Sequence, residues 1–163
     1  MPVPPKPGLH VTHRASVTRA ALESLKAPPL ASCLVFIKHP EHGDEFNGKA
    51  LCDQIRQLLK NQPGTFCFFH DGTGMVNARI GYASAFKELD RELAERTTEV
   101  VCAIPGPIPR MMLYTVATIA EKPWAIFRTR PEAELHMRMR GYDAADYTQP
   151  LEGMLKLKVL GRF

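Results

Sequence analysis

The chain has 163 residues, about one domain's worth, and a chain of this size buries most of the surface its unfolded form exposes, so one core is expected. Apolar residues at 45% against 23% charged argue against disorder and against a membrane protein for the body of the chain, and no apolar run approaches the roughly 20 residues that cross a bilayer. A formal charge of +4 raises nucleic acid as a partner. The basic residues, however, fall in two local groups (Arg128, Arg130, Arg138 and Arg140; Lys156 and Lys158) that lack the interleaved aromatics used to stack bases, so they read as solvated faces and no nucleic-acid partner is expected.

Residues 1–8 hold four prolines and a glycine, a composition that stays extended. The N-terminus carries a cation but no apolar h-region, which points to a cytoplasmic location. Residues 16–26, SVTRAALESLK, read as a short helix stopped by Pro28 and Pro29. The span 1–29 is therefore a tail, followed by an α/β domain over 30–145 and a C-terminal extension over 146–163.

LASCLVFIKH, residues 30–39, is rich enough in apolar and β-branched types to be a buried strand ending at Pro40. After the polar loop EHGDEFNG, residues 49–61 set Leu51, Ile55, Leu58 and Leu59 at helical spacing. A second strand, residues 65–70, runs into the glycine-bracketed turn DGTG. Tyr82, Phe86, Leu89 and Leu93 then recur at four, three and four residues, the strongest helical pattern of the chain. The next strand, Val100 to Ile104, is apolar throughout, as a central strand covered on both faces would be.

Pro109 suits the first turn of a helix whose stripe is Met112, Val116, Ile119 and Ala120. A strand over residues 124–127 precedes Thr129 and Glu132, which are spaced as a capping box, and Gly141 is placed to end that helix. LKLKVL, residues 155–160, alternates with period two and reads as an edge strand with its lysines outward. Strands and helices alternating through short connections predict an α/β fold, a mostly parallel or mixed sheet of four or five strands with flanking helices.

Cys33, Cys52, Cys67 and Cys102 include no CxxC pair and all lie in apolar segments, so they read as reduced, inert core residues. His10 with His13, and His39 with His42, share H-x-x-H spacing, yet neither pair has the three or four convergent ligands zinc requires; no metal or cofactor is expected. FHDGTG has the frame of the haloacid dehalogenase signature, but Phe69 stands where the acceptor aspartate belongs, so no nucleophile is present. His136 reads as a surface residue. No nucleophile elbow or Walker loop occurs; for an enzyme of unknown class, Asp71 with His42 or His70 is the one acid and base pairing to test.

In an open α/β sheet, ligands collect at the carboxyl ends of the strands. The residues placed there are His39, Glu41 and His42; Asp71, Thr73 and Asn77; Gly106 and Arg110; and Arg128 and Thr129. Arg110, at a helix start, is suited to an anion or a partner's carboxylate.

FCFFHDGTGM is similar to the strand and Asp-led turn before the long helix of the SpoIIAA-like domains, VVCAIPGPIPRMM to their next strand and loop, and WAIFRTRPEAELHMR to their closing strand and helix. Residues 31–139 thus resemble the SpoIIAA-like branch of the STAS superfamily, the fold of anti-sigma-factor antagonists, related also to lipid carriers of the SEC14 type. The resemblance implies a non-enzymatic regulatory module in signal transduction, acting on a protein partner through the loops around Asp71 to Asn77 and the start of the Arg110 helix. The family's phosphorylatable serine falls near Arg79 to Tyr82, where no hydroxyl of that kind stands; Ser84 and Thr73 are the nearest candidate phosphoacceptors.

The alternative is a small carrier or sensor that encloses an apolar or anionic ligand against Phe86, Met111, Met112 and Tyr114. The C-terminal strand adds an expected homodimer, in which residues 155–160 pair with a neighbouring chain; folding back onto their own sheet is the competing arrangement.

Overall fold

The computed structural model describes residues 28–107, 109–111, 113, 124–143 and 155–160. Among them a five-stranded sheet is built from β1 (Cys33–Lys38), β3 (Phe66–Asp71), β5 (Thr97–Ala103), β6 (Trp124–Phe127) and β7 (Leu155–Val159). A separate parallel pair, β2 (His42–Gly43) with β4 (Asn77–Ala78), sits beyond it. The helices are α1 (Glu45–Leu59), α2 (Ile80–Leu93) with a 3₁₀ turn at Ala94–Arg96, and α3 (Arg130–Arg140). Residues 107, 109–111 and 113 are also helical, as Pro109 suggested. The expected α/β class, with a mostly parallel mixed sheet, is the observed one. The tail helix at 16–26, the His10 and His13 pair, Met112 and Tyr114 lie outside the described residues.

The strand order is β6-β5-β3-β1-β7. From β1 through β3 and β5 to β6 the chain steps one place in the same direction each time, every pair parallel. Right-handed crossovers then deposit the connecting helices on one face. There α1 and α2 pack together over Cys33, Val35, Ile37, Phe66, Phe68, Val100 and Cys102. α3 covers the opposite face, where Ala133 and Met137 meet Leu34, Phe36, Cys67, Phe69, Val101 and Ala103. Strand alternation assigns each residue to a face, and the near-continuous apolar runs follow from burial on both sides. β5 is covered on both faces, as its composition implied.

β7 turns back and pairs antiparallel with β1, Cys33 opposite Val159 through Ile37 opposite Leu155, so the C-terminal strand is an edge of its own sheet. Leu155 and Leu157 pack on the α1/α2 core, and Lys156 and Lys158 are half-buried on the other face rather than fully outward.

α1 begins four residues before the expected start because Asp44 and Asn47 form a reciprocal capping box: each side chain accepts from the other's backbone N–H at 2.8 Å. Its buried side is Gly48, Leu51, Cys52, Ile55 and Leu59, while Leu58, expected in the stripe, is exposed. Thr129 caps α3 by accepting from Glu132 N, and Gly141 ends it at φ 101°, a left-handed turn that glycine adopts without strain.

Below the sheet's α3 face, Glu99 is 3% exposed and receives three hydrogen bonds from Arg140, with Tyr142 Oη at 3.4 Å and His136 Nε2 at 3.9 Å. Arg140 is thus a core ion-pair residue and His136 is half-buried beside Phe127, where the sequence placed both on the surface.

Candidate functional site

Alternation along β1 puts Val35, Ile37 and then His39 on the α1/α2 face, and along β3 it does the same for Phe66, Phe68 and His70. The two histidines are therefore the last inward-facing residues of neighbouring parallel strands. Their rings meet in plane: His39 Nε2 lies 2.8 Å from His70 Nδ1, the planes are 14° apart and the centroids 5.0 Å apart. On its far side His39 Nδ1 is 2.5 Å from Tyr82 Oη. The backbone fixes this end of the strand through His39 N donating to Asp71 O at 2.9 Å.

Tyr82 reaches that position from the first turn of α2, and two glycines make room for its ring. A Cβ on Gly43 would lie 2.8 Å from Tyr82 Cγ, and one on Gly48 would lie 2.9 Å from Cδ2 and 3.1 Å from the Tyr82 backbone. Phe86, one turn along, sets its ring edge-on to both imidazoles, at 5.1 and 5.8 Å.

Burial holds His39 near a pKa of about 4, and burial together with the neighbouring His39 holds His70 well below the usual imidazole range. Burial likewise pushes the Tyr82 hydroxyl above its ordinary value. All three groups are neutral at physiological pH. A row of neutral hydrogen-bonding groups has two senses: Tyr82 donates to His39 and His39 to His70, or each bond runs the other way. His70 Nε2 pairs with no described residue.

This chain of three ends at a cavity of about 80 Å³. Its floor is Phe68 and Val100, α2 supplies Ala83, Phe86 and Leu93 as one wall, and Ile104, Pro109 and Leu113 form the other. Trp124, the single tryptophan of the chain, closes the far end; its indole N–H is the one buried side-chain polar atom without a partner among the described residues. Asp90 is the only acidic lining residue, and no lysine or arginine lines the cavity among the described residues.

The residues singled out by sequence scatter around this centre. Asp71 is 4% exposed on the other face of β3, where its carboxylate accepts from Thr73 N, Thr73 Oγ1 and Arg130 Nη1 at 3.0, 2.6 and 3.0 Å. Arg130 also holds Glu134 at 2.8 Å, so this arginine too is part of a pinned loop rather than a solvated face. His42 pairs with Asn77 and lies 3.5 Å from Glu41, while His70 pairs with His39. The proposed Asp71 pairing with either histidine is thus replaced by other partners. Arg110 donates to the carbonyls of Ile104 and Pro105, tying down the loop after β5, and Gly106 packs beside Pro109 in that loop. Arg128 and Ser84 are exposed, Ser84 in the second turn of α2.

The thiols of Cys52, Cys67 and Cys102 are all pushed up by burial, Cys52 to about 12, and all four cysteines are buried and unbridged, in line with an inert reading. The sequence missed Tyr82 as a polar group, since its helical period marks it as core. The signal available was the glycine pair at 43 and 48 and the matched strand-end histidines. No helix among the described residues is long and apolar enough to cross a membrane. Comparison with known protein families, curated proteins and solved structures gives no match.

Proposed function

We propose that the chain is a small-ligand-binding module, a carrier or sensor that takes an apolar group into the cavity between the sheet and α2. The observation that carries this reading is the apolar cavity itself, opening beside the strand ends of β1, β3 and β5, with the histidine corner at one end and the Trp124 indole N–H at the other. A preformed apolar concavity with few convergent polar groups is the ordinary form of a small-molecule site. The absence of cationic lining among the described residues favours an apolar ligand over an anionic one. Trp124 makes the test direct. A library of small apolar compounds is expected to contain members that shift Trp124 fluorescence and raise the melting temperature, and Ala83→Phe, which fills the cavity, is expected to abolish both responses. A library without a single responder overturns the proposal.

A second reading, the regulatory docking module implied by the SpoIIAA-like resemblance, is favoured by a different observation. Phe46, Val76 and Ile80 are 84%, 61% and 79% exposed on segments joined by the β2/β4 pair, and Met111 is exposed at the neighbouring helix start. Clustered apolar side chains of this size mark protein contacts. The partner is a regulatory protein in the cytoplasm, and Ser84 and Thr73 are the phosphoacceptors to assay. A homodimer through the C-terminal strand uses the side of β7 that β1 leaves unpaired. Phe46→Asp with Ile80→Asp is expected to abolish partner capture while leaving the Trp124 response intact; undiminished capture rules out this surface.

A further inference from the structure

We propose that the cavity selects uncharged molecules carrying one hydroxyl on an apolar body, with the hydroxyl hydrogen-bonded to His70 Nε2 at the end of the Tyr82–His39–His70 chain. This rests on the small-ligand reading above and names its ligand class.

Phe68, Phe86, Val100 and Leu113 offer nothing polar, so a ligand's polar atom is stranded unless it lies at the histidine corner or against the Trp124 indole N–H at the far end, which can only donate. At the histidine corner His70 Nδ1 is taken by His39, while Nε2 has no hydrogen bond to a described residue. When Tyr82 O–H donates to His39 Nδ1, His39 Nε2–H donates to His70 Nδ1 and His70 Nε2–H faces the ligand as a donor. When all bonds reverse, His70 Nε2 becomes an acceptor. A hydroxyl both donates and accepts, so it pairs with either sense. A hydrocarbon leaves the nitrogen unpaired, and a carboxylate brings a charge beside Asp90 into a site without a cation among the described residues. Burial keeps both imidazoles neutral, so they supply no positive charge to offset it.

The depth of the site limits the apolar body. About 80 Å³ accommodates a compact group such as a single ring, with any larger remainder emerging through the mouth. His70 and Trp124 stand two strands apart, so on the order of 10 Å separates their backbones and the ring lies over Phe68 and Val100 between them.

The test uses the full chain and three probes of one size, phenol, toluene and benzoate, titrated at pH 7 with Trp124 fluorescence as readout and calorimetry as the check. Water holds phenol better than toluene, so an apolar cavity without a polar partner prefers toluene. Phenol binding at least as tightly as toluene, and at least tenfold tighter than benzoate, is the expected result. Toluene binding tighter than phenol, or benzoate equal to phenol, overturns the inference while leaving the ligand cavity standing. Silence from all three probes removes the inference, and the library assay then decides the cavity reading separately. His70→Phe is expected to cost phenol tenfold or more with toluene unchanged. Tyr82→Phe keeps the ring and removes only the hydroxyl: a several-fold loss for phenol alone is expected, and equal affinities for wild type and this variant overturn the role of the chain of three.

Discussion

His39 and His70 share a hydrogen bond across 2.8 Å in nearly coplanar rings, and neither has a carboxylate as its hydrogen-bond partner among the described residues. That distinguishes the pair from an acid–base dyad built for proton abstraction, where a charged orienting group raises the basicity of the histidine. Here desolvation works in the opposite direction and keeps both rings neutral, so either ring can be the donor of the bond they share.

A dependence of stability on pH follows. The groups facing His39 are His70 from β3 and Tyr82 from α2, both neutral, with Asp90 on the cavity wall. His39 titrates near 4 in the folded protein and near 6.5 in the unfolded chain, so below pH 6.5 the unfolded state binds a proton that the native state refuses. Stability is therefore full above about pH 6.5 and falls as the pH drops toward 4, by about 3 kcal/mol from His39 alone. His70 adds to the loss in the same direction. Urea midpoints measured at pH 7.5, 6 and 5 check this; a midpoint that holds constant or rises toward pH 5 contradicts it.

Gly48→Ala is expected to destabilise the protein. In an ordinary helix interior the change gains about 1 kcal/mol. Here the new methyl meets the Tyr82 ring and backbone at 2.9 and 3.1 Å, and the backbone atom cannot swing away. A net loss of about 1–2 kcal/mol is expected from overpacking, read by urea unfolding. A gain would mean that the seat of Tyr82 is looser than these distances imply.

Asp71→Asn separates a structural from a catalytic role. The side chain of Asp71 is 5% exposed and that of Arg130 24%, so neutralising the carboxylate leaves a mostly buried guanidinium with Glu134 as its remaining carboxylate partner among these residues. A loss of about 2–3 kcal/mol is expected. Phenol affinity is expected to be unchanged, because Asp71 faces the α3 side of β3. An unaltered melting temperature would show that the pair contributes no net stability.

Arg140→Met probes the opposite end of the same face. It leaves Glu99, 3% exposed, with Tyr142 and His136 and with no permanent cation as a partner among the described residues. A loss of about 3 kcal/mol is expected at neutral pH, read by urea unfolding. A urea midpoint equal to that of the wild type would show that the ion pair adds no net stability.

Much of this fold was legible because apolar runs and breakers report local structure. The strands expected at 30–39, 65–70 and 124–127, observed at Cys33–Lys38, Phe66–Asp71 and Trp124–Phe127, and the α2 stripe follow from period and composition alone. The start of α1 was not, since the capping partner at N3 is asparagine rather than glutamate and the segment DEFN carries an exposed phenylalanine. Arg130 and Arg140 were misread for a related reason. A charge run is a solvated face unless a buried carboxylate awaits it, and whether Asp71 and Glu99 point at α3 depends on strand register that no local pattern contains. The candidate site suffered most. Its histidines were each noticed separately, but their contact exists only once β1 and β3 are neighbours in parallel register, with Tyr82 delivered from a third element.

The pairing of β7 with β1 joins the two strands farthest apart in sequence. During synthesis β1, β3 and β5 emerge in the order in which they stand in the sheet, and each finds its neighbour already made or next to come. β1 must wait on its other side until nearly the whole described chain has left the ribosome. In that interval its free edge is a nascent-chain liability, open to a strand from another polypeptide. Closing that seam is the slow, long-range step of assembly. Depletion of ribosome-associated chaperones is therefore where a defect in this protein's yield would first be seen.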